Sequence, residues 1–170
     1  QDVSCLSKEQ AAALQEFVAS GGVVLGVGCL GWRDLHGAPW ADGPVSDAVF
    51  GLKTGTIEPI KEPVSAILNG KKILVGGAVR GITAADATVL AQAGKVPILT
   101  VKRQGKGVAF WLNSDMAERK AIKAGDDNEA AGELDAKVPG ARFQLFDEVL
   151  KTAGITPRSR IVADGQPVYK

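Results

Sequence analysis

Cys29 stands in the run Gly26-Val27-Gly28-Cys29-Leu30-Gly31, directly after the apolar stretch Val23-Val24-Leu25, and His36, the one histidine of the chain, follows seven residues later. A cysteine on a sharp turn after a buried strand has the placement of a nucleophile elbow, and Gly28 and Gly31 would admit the constrained backbone that an elbow requires. Thiol chemistry also needs an activating base, because a cysteine of ordinary pKa, about 8.5, is mostly protonated at neutral pH. His36 qualifies by type but not by placement. It belongs to the same glycine- and proline-rich loop instead of the end of a later strand that would hold it rigidly. The competing reading makes Cys29 a small buried hydrophobe and His36 a surface loop residue, and leaves the chain with no catalytic residue.

The same six residues satisfy the G-x-G-x-x-G pattern of dinucleotide sites. That fingerprint works when its glycines open a helix whose first amides meet the pyrophosphate, and here Gly37 and Pro39 stop any helix within two turns. The acidic ribose ligand expected about twenty residues on is also missing, since the chain reads Val49-Phe50-Gly51-Leu52-Lys53 there. No cofactor follows from the motif. Trp32 and Trp40 allow another chemistry, because loop aromatics stack on sugar rings, fill a partner's pocket, or plug their own loop. Asp34, Asp42 and Asp47 are spread through turn and cap positions and do not form a paired acid–base set. Asp115, Asp126, Asp127 and Glu129 read as a solvated loop, and Lys71-Lys72 and Lys102-Arg103 with Lys106 as charged decoration of hairpins. Cys5 and Cys29 lack metal-ligand spacing, so no metal is expected.

The elements that must position these residues are legible in the pattern. Ser7 and Gln10 have capping-box spacing, and Leu6, Leu14, Phe17 and Val18 form a helical stripe ended by Gly21-Gly22, which predicts a helix over Ser7 to Ser20. Val23 to Val27 is the apolar run of a strand covered on both faces. Residues 28 to 44 form a long aromatic-bearing loop, and Ser46 to Leu52 a short capped helix. Thr54 to Ile60, Lys72 to Val75, Ala87 to Ala91, Val96 to Lys102 and Val108 to Leu112 are β-type runs for which antiparallel hairpins fit best. Asn69-Gly70 and Gln104-Gly105-Lys106-Gly107 supply two of the turns. After a polar loop over 114 to 138, Phe143, Phe146, Val149 and Leu150 predict a docking helix over Pro139 to Ala153. Arg160 to Ala163 and Val168-Tyr169 flank an Asp164-Gly165 turn.

With 170 residues, 45% hydrophobic and 23% charged, the chain is sized for one domain with a core of its own. Its 20 Lys and Arg against 19 Asp and Glu leave a formal charge of +1, which supplies no field to draw a phosphate backbone or an anionic bilayer. Neither nucleic acid nor membrane is an expected partner; every apolar run ends well short of the roughly 18 residues of a membrane span. Both ends of the chain look cut from a larger protein, with residues 1–156 as the domain and 157–170 as the truncated start of a following β segment.

The stretch Cys5-Leu6-Ser7-Lys8-Glu9-Gln10, then Leu14, Phe17-Val18 and Gly21-Gly22-Val23-Val24, resembles the helix–strand unit of the class I glutamine-amidotransferase-like fold. More specifically it resembles the β-galactosidase trimerisation domain of family 42 glycoside hydrolases and their multidomain relatives. Trp32-Arg33-Asp34-Leu35-His36-Gly37, Val45 to Gly51, and Pro97-Ile98-Leu99 leading to Gly105-Lys106-Gly107-Val108-Ala109-Phe110 fit the same domain in order. The resemblance implies an α/β, flavodoxin-like three-layer sandwich with additional antiparallel hairpins, preceded by a catalytic barrel. It implies a non-catalytic accessory or oligomerisation role. The expected partners are other copies of the chain as a dimer or trimer, the barrel, and carbohydrate, and the contact residues are Trp32, Asp34, His36 and Trp40. True class I amidotransferases join the elbow cysteine to a histidine and a glutamate after a late strand. Here that strand is followed by Leu112-Asn113-Ser114-Asp115, and the triad is incomplete. The remaining alternatives are an amidotransferase-like hydrolase using Cys29 with His36, and a small-molecule (sugar) binding module.

Overall fold

A computed structural model describes residues 4–114, 141–156 and two short strands, 162–163 and 166–167. The polar loop after Ser114, with its acidic residues, and the turn at 164–165 lie outside the described residues, although the strands flanking that turn pair antiparallel. Helix α1 (Lys8–Ala19) begins as its sequence dictates. Ser7 Oγ accepts from the Gln10 amide at 3.1 Å while the Gln10 side chain accepts from the Ser7 amide at 2.9 Å. That reciprocal arrangement satisfies two amides that a helix start otherwise leaves open. A turn through Gly21 leads to β1 (Val23–Val27), then a long loop, α2 (Asp47–Phe50), and β2 (Leu52–Pro59).

Six strands follow: β3 (Val64–Leu68), β4 (Lys71–Val75), β5 (Val79–Ala84), β6 (Thr88–Ala93), β7 (Val96–Gln104) and β8 (Gly107–Leu112). Helix α3 (Ala141–Ala153) and the pair β9 (Val162–Ala163) and β10 (Gln166–Pro167) come last. The main sheet has the order β1-β8-β7-β6-β3-β4, while β2 and β5 form a separate two-stranded ribbon. Among the described strands β1 and β8 are the pair that runs parallel, in the register Val23 to Val108 through Val27 to Leu112, with an isolated parallel bridge between Cys5 and Arg33 in addition. The chain is therefore mixed α/β with a mostly antiparallel sheet, and the parallel pairing expected of a flavodoxin-like core is confined to these two strands.

Strand β8 shows how the layers are built. Val108, Phe110 and Leu112 point into one core with Leu99, Ile73 and Val75, closed by Leu145 and Val149 of α3. Ala109 and Trp111 point to the other, where Ala11 and Val18 of α1, Val49 and Phe50 of α2, and Leu52 and Ile82 of the ribbon meet them. All six residues of β8 are buried, as the period-two geometry of a strand covered on both faces requires. Each fully buried side chain of this size contributes about 1.5–3 kcal/mol relative to exposure.

The β7–β8 hairpin turns where its glycines predicted, with Gln104 opposite Gly107. Its tip rests against the end of α1: the Lys106 amide donates to Ala19 O at 3.0 Å and the Val108 amide to Gly22 O at 3.1 Å. A Cβ at Gly107 would strike the carbonyl oxygens of Val18 and Gly22, so this contact admits glycine alone. Strands β3 and β5 were absent from the sequence expectation. Strand β5 carries Gly81, which sits opposite a bulge in β2, at φ +90°, where the Thr56 carbonyl leaves no room for a Cβ. On α3 the buried face is Leu145 and Val149, whereas Phe146, expected to dock, is exposed. The Phe143 side chain lies outside the described residues.

Candidate functional site

The loop between β1 and α2 leaves the carboxyl end of the sheet's parallel pair. Gly28 takes φ +63°, and its amide donates to Leu112 O at 3.0 Å; its carbonyl accepts from Trp111 Nε1 at 3.0 Å. Gly31 is also left-handed, at φ +67°. Among the described residues the one non-glycine with positive φ is Asn69, so Cys29 does not carry the strained backbone of an elbow. No helix opens after the glycines. Their presence has a packing cause: a Cβ on Gly26 would lie 2.5 Å from the Phe50 ring, and one on Gly31 would lie 2.9 Å from Leu6 Cδ1.

The next turn of chain is tied down from both sides. Leu30 O accepts from the Ser46 hydroxyl at 2.5 Å, and Trp32 packs half-buried on the α1-side core. Arg33 then pairs with the segment ahead of α1, its amide donating to Ser4 O at 2.9 Å and its carbonyl accepting from the Leu6 amide at 3.1 Å. Asp34 Oδ1 accepts from the amides of His36 and Ala38, both at 2.9 Å, and Arg33 Nη1 donates to Gly37 O at 2.7 Å. Residues 34–38 are thus a closed finger. Its tip presents Leu35, 61% exposed, and His36 to solvent.

Trp40 is held differently. The Lys8 ammonium lies 5.6 Å from its ring centroid, a cation–π distance, while its indole Nε1 is desolvated with no acceptor. Beside Lys8, Glu9 sits in the first turn of α1. The Ser7 hydroxyl, and then Glu9's own backbone amide, hold its carboxyl below the usual glutamate range.

The structure thus gathers Trp32, Asp34, His36 and Trp40 in one loop, with Asp34 spent on the loop's own amides. Cys29, expected as a small buried hydrophobe, is instead exposed in the same loop, since the left-handed glycine before it turns the chain out of the sheet. Asp47 leaves the set, since its carboxylate accepts from the Thr54 amide at 2.7 Å and the Thr54 hydroxyl at 2.8 Å. Lys102, read as decoration, spans Asp86 at 3.1 Å and the Ala48 carbonyl at 2.8 Å. No group of three potential metal ligands occurs among the described residues.

Asn113 is the residue whose role sequence reasoning missed. Only 1% exposed at the end of β8, it forms three side-chain hydrogen bonds: Oδ1 accepts from the Val79 amide at 2.9 Å, and Nδ2 donates to Val79 O at 2.8 Å and Pro97 O at 2.9 Å. Ser114 beside it donates to Gly76 O at 2.9 Å. The signal was an asparagine directly after six strand residues with no charge among them.

No family model and no curated protein matches the chain. Solved structures do. Gan42B, a GH42 β-galactosidase from G. stearothermophilus, is similar over 92% of this chain and 21% of its own, with 20% identity and a TM-score of 0.63. The β-galactosidase from Rahnella sp. R3 is similar over 96% and 23%, at 16% identity and a TM-score of 0.67. A cytoplasmic protein from Salmonella typhimurium is similar over 85% of this chain and 60% of its own, at 16% identity and a TM-score of 0.58. The chain spans about a fifth of the β-galactosidases it matches, and its fold is that of one segment within them.

Proposed function

We propose that this chain is a non-catalytic accessory domain of a multidomain glycoside hydrolase of the β-galactosidase type, where it joins copies of the protein or covers the rim of a neighbouring catalytic barrel. The observation that carries the reading is the match of nearly the whole chain to a small, defined part of several β-galactosidases. On this reading the β1–β8 pair, with α1 on one face and α3 on the other, is the counterpart of a flavodoxin-like, class I amidotransferase-like three-layer core, and the antiparallel strands are its elaboration. The late-strand position that would hold a triad base carries Asn113, whose amide is committed to backbone groups. The finger at 34–38, with Trp40 behind it, is the contact surface, since a loop already closed by its own hydrogen bonds loses little entropy on docking.

Light scattering of the chain across a range of concentrations tests the association role. A dimer or trimer that weakens at least tenfold on H36A or W40A, with melting temperature unchanged, supports it. A monomer at all concentrations moves the role to the barrel rim, where the same variants must raise KM of the full-length hydrolase. Unchanged assembly together with unchanged KM refutes both forms.

A further inference from the structure

We propose that Asn69-Gly70 is a site of spontaneous deamidation, and that the modification uncouples helix α3 from the β3–β4 hairpin. The two residues form the turn of that hairpin, between the paired Leu68 and Lys71. Asn69 takes φ +50° and Gly70 φ +75°, and both are exposed. Gly70 has open space where a Cβ would stand. In the reaction the Gly70 backbone nitrogen attacks Asn69 Cγ and gives up its proton. The Cγ–Nδ2 bond breaks, Nδ2 leaves as ammonia, and a five-membered succinimide remains. Water then opens the ring at either carbonyl, giving aspartate or isoaspartate. No oxidant or cofactor enters, and the net change is asparagine plus water to an acid plus ammonia. A glycine on the carboxyl side favours the step because no side chain hinders the attacking nitrogen.

What makes this turn more than a labile bond is the far end of the asparagine amide. Asn69 Nδ2 donates to Glu148 Oε2 at 2.5 Å, a contact between residues distant in sequence, and Glu148 Oε1 accepts from Thr152 one turn further along α3 at 3.3 Å. Deamidation replaces that donor by a second carboxylate facing Glu148. An attractive charge-assisted hydrogen bond becomes a like-charge contact. Glu148 adjoins Val149, which with Leu145 closes the first core. The opposed charges therefore act on the helix that seals it.

The test is to incubate the folded chain at mildly alkaline pH and map its peptides at intervals. Conversion at residue 69 with ammonia release, ahead of Asn113, which is buried, supports the proposal. An Asn69 that stays intact in the folded chain while converting in denaturant overturns it. The coupling is read separately: N69D should raise hydrogen exchange along α3 and lower the melting temperature, and N69D/E148Q should recover most of both. An N69D chain exchanging like the wild type, or one that E148Q does not rescue, overturns the uncoupling.

Discussion

Removing the Asn113 carboxamide should cost the domain about 3–4 kcal/mol, because three hydrogen bonds of a buried side chain are lost and their backbone partners are left open in a largely covered site. Asn113→Ala leaves the Val79 amide, the Val79 carbonyl and the Pro97 carbonyl without the partners now at 2.9, 2.8 and 2.9 Å. A net contribution of about 1 kcal/mol per bond, with a further penalty for buried groups left open, gives that figure. Set against a total stability of about 5–15 kcal/mol for a domain, the loss is large; it corresponds to a fall in melting temperature of roughly 6–16 °C for a chain of this size.

Asn113→Asp sharpens the test. The carboxylate still accepts from Val79 N–H but faces two carbonyl oxygens, so burial and repulsion raise its pKa above the unfolded value of about 3.9. The sign follows from linkage. The protonated acid fits best, so the variant is closest to wild type below about pH 4 and loses stability as pH rises toward the elevated folded pKa. Urea unfolding of wild type, N113A and N113D between mildly acid and neutral pH reads all of this. A cost below about 1 kcal/mol for N113A, or a wild-type offset for N113D that does not change with pH, would refute the reasoning.

Two further outcomes rest on equally local features. Thr100 is fully buried with no partner for its hydroxyl, so Thr100→Val should raise stability by about 1 kcal/mol in urea unfolding; a loss would show that the hydroxyl is satisfied. Glu9 has a lowered carboxyl pKa, so its support of α1 is present above the ordinary glutamate range and is lost as pH falls through the folded value. Helicity followed by circular dichroism should then fall less on acidification in E9Q than in wild type, and superimposable curves would count against the Ser7–Glu9 interaction.

Capping and turn chemistry made much of the fold legible. Ser7 with Gln10 marked α1, and the glycines at 105 and 107 marked the hairpin that became the sheet's centre. Local patterns failed where a distant backbone decided the outcome. Strand β5 went unforeseen because its Gly81 is explained only by the Thr56 carbonyl beside it, and Asp47 reads as a turn or cap residue until Thr54 is found on it. The loop residues Trp32, Asp34, His36 and Trp40 were recognisable as a group. Their individual duties were not, because Asp34's partners depend on how the finger closes, and Trp40's cation comes from the start of α1. The glycine motif at 26–31 shows the reverse case, a chemical signature whose outer glycines are set by Phe50, Leu6 and Ser46 and whose middle one is set by its left-handed backbone.

The single parallel pairing also fixes an order of events during synthesis. Val23 to Val27 bond with Val108 to Leu112, so the first strand waits for most of the domain to emerge from the ribosome before it acquires a neighbour in the sheet. Hairpins β3–β4 and β7–β8 close locally and fast, whereas the start of the loop carrying Trp32 to Trp40, at Gly28, gains its bonds to Leu112 and Trp111 only when β8 arrives. The finger proposed for docking closes on its own local bonds, but the base on which it stands is set only once the far strand of the sheet has been made.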